Sequence, residues 1–82
     1  MAEQVLELLG TRGCHLCDEA EAMLKAAVRA RPIAWRYVDI AGDEVLIRRY
    51  GERIPVLRGE RGEIAWPFSL LDILRLAEVS GR

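Results

Sequence analysis

The two cysteines of this chain stand three residues apart, in Cys14-His15-Leu16-Cys17, after an apolar run and before a helical pattern. At such a place the first sulfur meets the unpaired N–H groups of a helix start and the positive end of its dipole. Both stabilise a thiolate and lower the pKa of the thiol. The second sulfur lies one turn along on the same face, with Cβ atoms about 5–6 Å apart. A relaxed disulfide needs about 3.5–4.5 Å, so closing the ring distorts the turn and leaves a bond that is readily reduced. The spacing predicts a redox pair rather than a structural staple, with Cys14 as nucleophile and Cys17 as the resolving thiol. The gain in reactivity is large: a thiol with pKa near 8.5 is about 3% thiolate at pH 7, and one near 6 is about 90%. Asp18 and Glu19 oppose the lowering, but the N–H groups point at the sulfur and the carboxylates away from it, so the lowering is expected to prevail.

Neighbouring residues supply candidate contacts. His15, the one histidine, either stabilises the thiolate as an imidazolium or sits exposed with little coupling. Leu16 and Ile54 could form an apolar patch for a protein substrate. Two thiols with His15 between them are too few for a closed zinc site within one chain, so a metal-binding module would need a dimer sharing two C-x-x-C pairs. No metal site is expected. Trp35, Tyr37, Trp66 and Phe68 are expected as core and edge cover rather than as a cofactor platform.

The elements that must position these groups are legible from pattern. Val5-Leu6-Glu7-Leu8-Leu9 is nearly continuous apolar sequence, as in a central strand covered on both faces. Gly10-Thr11-Arg12-Gly13 is a turn. Cys17, Ala20, Leu24, Ala27 and Val28 then recur on one helical face, Glu21 and Lys25 form an i,i+4 pair, and Pro32 ends the helix. Ile33–Ile40 is a second strand, which a right-handed crossover makes parallel to the first. A short helix follows with Asp43 as N-cap and Gly51 at its close. Ile54–Arg58 and Glu63–Trp66 form a hairpin around Gly59-Glu60-Arg61-Gly62. Ser69 and Asp72 make a capping box for a last helix with Leu70, Ile73, Leu74 and Ala77 inward and Gly81 at its end. The order is βαβ-α-ββα.

At 82 residues, 51% of them apolar, one domain spanning 1–82 is expected. Net charge is −1 and 11 of the 12 basic residues are scattered arginines, which gives no basic patch for nucleic acid or an anionic membrane. The N-terminal segment lacks a signal pattern. A cytoplasmic monomer is therefore expected, and its paired cysteines are catalytic or metal-binding rather than structural.

A C-x-x-C in a βαβ unit, with Ile54-Pro55 about forty residues later, resembles the thioredoxin fold and, more specifically, the glutaredoxins. Gly10-Thr11-Arg12-Gly13-Cys14-His15-Leu16-Cys17, Arg49-Tyr50-Gly51-Glu52-Arg53-Ile54-Pro55-Val56-Leu57 and Trp66-Pro67-Phe68 are similar to a group of small bacterial glutaredoxin-like proteins. The resemblance implies an α/β fold with a four-stranded mixed sheet and helices on both faces. It implies a thiol–disulfide oxidoreductase that acts on disulfide-containing proteins or small thiols, with no bound cofactor beyond the Cys14–Cys17 disulfide. A dithiol reductase or glutathione would be the electron donor. It also implies a cis bond before Pro55, with the Ile54 backbone turned toward the dithiol to pair with substrate. The cation that glutaredoxins place three residues before the first cysteine is Thr11 here, with Arg12 beside it as a substitute. Trp66-Pro67-Phe68 replaces a glycine turn that holds the γ-glutamyl end of glutathione. The tryptophan and buried aspartate of thioredoxins are Gly13 and Leu8. These departures leave a second candidate function, a thioredoxin-fold interaction domain with weak catalysis.

Overall fold

The computed structural model describes residues 4–78. In chain order it has β1 (Val5–Gly10), α1 (His15–Ala30), β2 (Ala34–Asp39), a 3-10 turn (Ile40–Gly42), α2 (Glu44–Tyr50), β3 (Val56–Gly59), β4 (Gly62–Ala65) and α3 (Leu70–Leu76). The four strands form one mixed sheet in the order β2-β1-β3-β4. β2 runs parallel to β1, as a helical crossover demands, while β3 and β4 pair antiparallel. This is the βαβ-α-ββα order expected from the pattern, in the α/β, thioredoxin-like architecture that the resemblance implied.

Side-chain alternation along β1 divides the core in two. Leu6 and Leu8, with Leu57 of β3, face α1 and α3, where they pack on Ala20, Leu24, Ala27, Phe68, Ile73 and Leu76. The alanines let α1 approach the sheet closely. Leu9 and Val56 face the other way and pack on Ile40 and Tyr50, at the start and end of the segment carrying α2. Helices thus lie on both faces, but the α2 side covers only the Leu9 end of β1. Val5 is half exposed there, and Glu7 is clamped across the sheet by its register partners Arg36 and Arg58. β1 is thus a central strand covered on both faces, as expected, except that a charge ladder rather than a helix lies over Glu7 on the α2 side.

Local signals account for the helix boundaries. Asp43 accepts from the N–H groups of Val45 and Leu46, and Ser69 and Asp72 close a reciprocal capping box. Gly51 does end α2 but in a right-handed conformation, φ −53° and ψ −34°, because the chain continues into a turn in which Arg53 and Ile54 both donate to the Tyr50 carbonyl. Two expectations need correction. Glu21 pairs with Arg12 at 3.2 Å rather than with Lys25. Ile73 and Leu76 are the buried residues of the α3 segment, with Leu74 and Ala77 partly buried against the same core, whereas Leu70 is 39% exposed, since the helix is only two turns long and its first residue stands at the rim. α3 ends at Leu76, and Gly81, expected at its end, lies outside the described residues.

Candidate functional site

Sheet register brings three separate segments to one end of the molecule. Gly10 and Asp39 end β1 and β2 side by side, so the Thr11–Cys14 turn and the start of α1 stand at that end. One step beyond the Leu9–Val56 pair lies Pro55, and the N–H of Trp66 donates to the Pro55 carbonyl at 2.9 Å. Thr11–Cys17, Ile54-Pro55 and Trp66–Phe68 therefore share the rim above β1 and β3. The peptide bonds preceding Pro55 and Pro67 are both cis.

The turn is closed by the Cys14 N–H donating to the Thr11 carbonyl at 3.4 Å. Gly13 takes φ +90°, a conformation costly for any residue with a side chain, which is the backbone reason a bulky aromatic does not precede the first cysteine. Cys14 is the N-cap of α1 in extended conformation. Its sulfur accepts the N–H of Cys17 at 3.2 Å, the role usually played by a Ser or Asp oxygen. Both cysteines are free thiols; Cys14 is partly exposed and Cys17 fully buried. Burial pushes the Cys17 thiol up to about 11; its hydrogen bond with Cys14 adds to the rise and the Thr11 backbone opposes it.

The remaining sequence-predicted residues are dispersed around this pair. His15 points along the helix, with Nε2 2.9 Å from Glu19 Oε2 and its side chain 85% exposed. Leu16 is 45% exposed on the rim. Ile54 is half-buried and packs on the Leu9, Ile40, Tyr50 and Val56 cluster. Its N–H donates to the Tyr50 carbonyl at 3.1 Å, so the expected use of both Ile54 backbone groups for substrate pairing is corrected: the N–H is committed within the fold, leaving the carbonyl. Pro55 is buried. Arg12 lies with its guanidinium carbon 3.8 Å above the centre of the Tyr37 ring and bonds Glu21. Phe68 is buried, and the Trp66 ring meets it edge-on at 5.0 Å, so this segment is filled with aromatic packing where a glycine turn would leave space.

Two residues expected only as turn and core cover, Gly10 and Tyr37, adjoin the pair. A Cβ on Gly10 would stand 2.8 Å from the Tyr37 hydroxyl oxygen and 2.9 Å from the Cys17 sulfur. Gly10 is thus a seat that lets β2 and α1 approach each other over the end of β1. Its spacing to Cys14 was visible in sequence; the role of Tyr37 was not, because it depends on strand register. Among the described residues no cluster of three or more His, Cys, Asp or Glu is placed to hold a metal ion, and no helix is long and apolar enough to cross a membrane.

Comparisons with known proteins agree with this geometry. Residues 5–77 match the model of the glutaredoxin-like domain family (DUF836). The chain is similar to target protein XcR50 from X. campestris, whose X-ray structure is 42% identical over 83% of this chain and 88% of that one, with a TM-score of 0.70. It is also similar to protein Ne2328 from Nitrosomonas europaea, whose solution structure is 27% identical over 95% of both chains, with a TM-score of 0.78. A malarial protein at 14% identity and TM-score 0.70 shares the fold. Comparison with curated proteins gives no match. With a family match over nearly the whole described chain and the C-x-x-C at the start of its first helix, this protein belongs to the glutaredoxin-like family.

Proposed function

We propose that the chain is a thiol–disulfide oxidoreductase that cycles between the Cys14–Cys17 dithiol and disulfide. The observation that carries this reading is the asymmetry of the pair: Cys14 partly exposed at a helix start with an N–H on its sulfur, Cys17 sealed one turn beneath it. Cys14 attacks a substrate disulfide, forming a mixed disulfide and releasing one substrate thiolate. Cys17 then attacks the Cys14 sulfur, the second substrate thiolate leaves, and the enzyme disulfide remains. An external dithiol or two equivalents of glutathione restore the thiols.

Proteins with accessible disulfides are the preferred substrates in this reading, because the rim offers exposed Leu16 beside the reactive sulfur and an aromatic-filled Trp66–Phe68 segment. The two arginines considered as carboxylate partners for glutathione are engaged, Arg12 with Glu21 and Tyr37, and Arg53 with Glu63 and Tyr50. A dithiol reductase is the favoured donor, in a reducing cytoplasm where such a pair would be kept ready to act.

The test is a pair of variants. Cys17→Ser should capture substrate proteins as mixed disulfides that persist until a reductant is added, and Cys14→Ser should capture none. Equal capture by both variants, or reduction of a protein disulfide by Cys14→Ser at the unmodified rate, would overturn the assignment.

A further inference from the structure

A difficulty in the exchange cycle points to a further residue. Cys17 must act as a thiolate in the resolving step and leave as one when the disulfide is reduced, yet its sulfur is wholly enclosed. Burial pushes its pKa up to about 11 in the dithiol, so the enclosed sulfur is held as a thiol at neutral pH.

The Tyr37 hydroxyl is the polar group that β2 delivers to this place. It is buried and, among the described residues, has no hydrogen-bond partner, a rare condition for an enclosed O–H. Tyr37 Oη and Cys17 Sγ both come within 2.9 Å of the point where a Cβ on Gly10 would stand, so they are near neighbours across the glycine. The ring is held from the other side by the Arg12 guanidinium, itself bonded to Glu21. Nothing in the resting dithiol uses the hydroxyl.

We propose that Tyr37 is the hydrogen-bond donor to the Cys17 sulfur whenever that sulfur carries negative charge. The inference rests on the oxidoreductase reading for its purpose, though not for its geometry. The hydroxyl hydrogen turns freely about the Cζ–O bond, and a thiolate draws it in where a thiol does not. Tyr37 keeps its own proton throughout: burial pushes its pKa up to about 12, and the Cys17 charge adds to the rise. In the resolving step the S–S bond from Cys14 to substrate breaks as the bond from Cys17 to Cys14 forms. The substrate leaves as a thiolate and takes up the proton that Cys17 released, so Tyr37 donates a hydrogen bond and transfers nothing. Other charges around the two groups are Arg12 of the turn, Asp18 and Glu21 of α1, and Asp39 of β2. Arg12 is the cation among them.

Tyr37→Phe preserves the ring and its contact with Arg12 and removes only the hydroxyl. In a Cys14→Ser background, the thiolate absorbance of Cys17 should titrate about one pH unit or more higher in the Tyr37→Phe protein than in its parent, as expected for loss of one hydrogen bond to a charged group. With both cysteines present and Cys14 loaded with a chromogenic aromatic thiol, release of that thiol by Cys17 should slow about tenfold or more below pH 8. Thermal stability should stay level or rise, because the lost hydroxyl had no partner to leave behind. The titration contains no exchange step, so it stands or falls independently of the oxidoreductase assignment. Identical Cys17 titrations in the two proteins, or a Tyr37→Phe protein that unfolds or melts well below its parent, would show the hydroxyl to be structural and overturn the proposal.

Discussion

The N–H of Cys17 donates to the sulfur of Cys14 at 3.2 Å, so the buried cysteine already serves the exposed one through its backbone before any bond joins their side chains. One residue caps the helix and the next residue on that face receives the cap, within the first turn of α1. A bond between the two sulfurs would therefore form inside the capped turn, where backbone donors otherwise lack acceptors.

Alkylation should separate the two thiols sharply. Cys14 is partly exposed and Cys17 fully enclosed with a raised pKa, so iodoacetamide at neutral pH should modify Cys14 to completion before Cys17 reacts measurably. Peptide mass mapping reads the order. Preferential labelling of Cys17 in the folded protein would reverse the assigned roles.

Gly10→Ala should disturb the site more than the fold around it. The added methyl would stand 2.9 Å from the Cys17 sulfur and 2.8 Å from Tyr37 Oη, inside van der Waals contact, and must push one of them away. Overpacking of this kind costs about 1–3 kcal/mol. The melting temperature should fall accordingly, and formation of the Cys14–Cys17 disulfide under a fixed oxidant should slow. A variant with unchanged stability and unchanged disulfide formation would mean that the seat is not tight.

Glu7 links stability to pH. Hydrogen bonds from Arg36 and then Arg58 hold its carboxyl below the ordinary value of 4.5, against the opposing effect of burial. A carboxylate with a lowered folded pKa stabilises the fold fully above its unfolded value, and that stabilisation is lost as pH falls through the lower folded value. Glu7→Gln should therefore cost about 1–2 kcal/mol at pH 7, discounted because Arg36 is well exposed. The two proteins should converge in stability as the pH falls below 4.5. Denaturant melts at neutral and acid pH measure the difference; a gap that persists undiminished in acid would assign the effect to packing instead.

Glutathione should be a poor substrate. Thr11 stands where a cation is expected and the Trp66–Phe68 packing fills the glycine-turn space. Losing two charge-assisted hydrogen bonds, at about 1.5–3 kcal/mol each, weakens binding by roughly two to four orders of magnitude. Steady-state turnover of a glutathione mixed disulfide should thus be slow and unsaturated at ordinary glutathione concentrations, while a dithiol donor still reduces the enzyme. Rapid, saturable turnover would show that Arg12 or Arg53 leaves its present partner to bind the tripeptide.

The dithiol, its helix and the two helix caps at Asp43 and Ser69 could be read from sequence because each depends on contacts within three or four residues. Spacing sets those contacts whatever the rest of the chain does. The βαβ order was legible for a related reason: a strand, a helix and a strand joined by short connections pack in only one hand. Tertiary structure alone decided the surroundings of the pair. The Tyr37 hydroxyl comes over Gly10, on the side of Cys17, because β2 pairs with β1 in the register that sets Tyr37 beside Leu8 and Asp39 beside Gly10. Arg12 turns to Glu21 and the Tyr37 ring because that ring stands next to the turn. Glu7 fits an otherwise apolar central strand because the same registers bring Arg36 and Arg58 to its two sides. These partners come from strands distant in sequence, and their alignment is set by the summed burial of whole strand faces. A local pattern does not encode that sum, and a slip of one residue in either strand would send every one of these side chains to the opposite face.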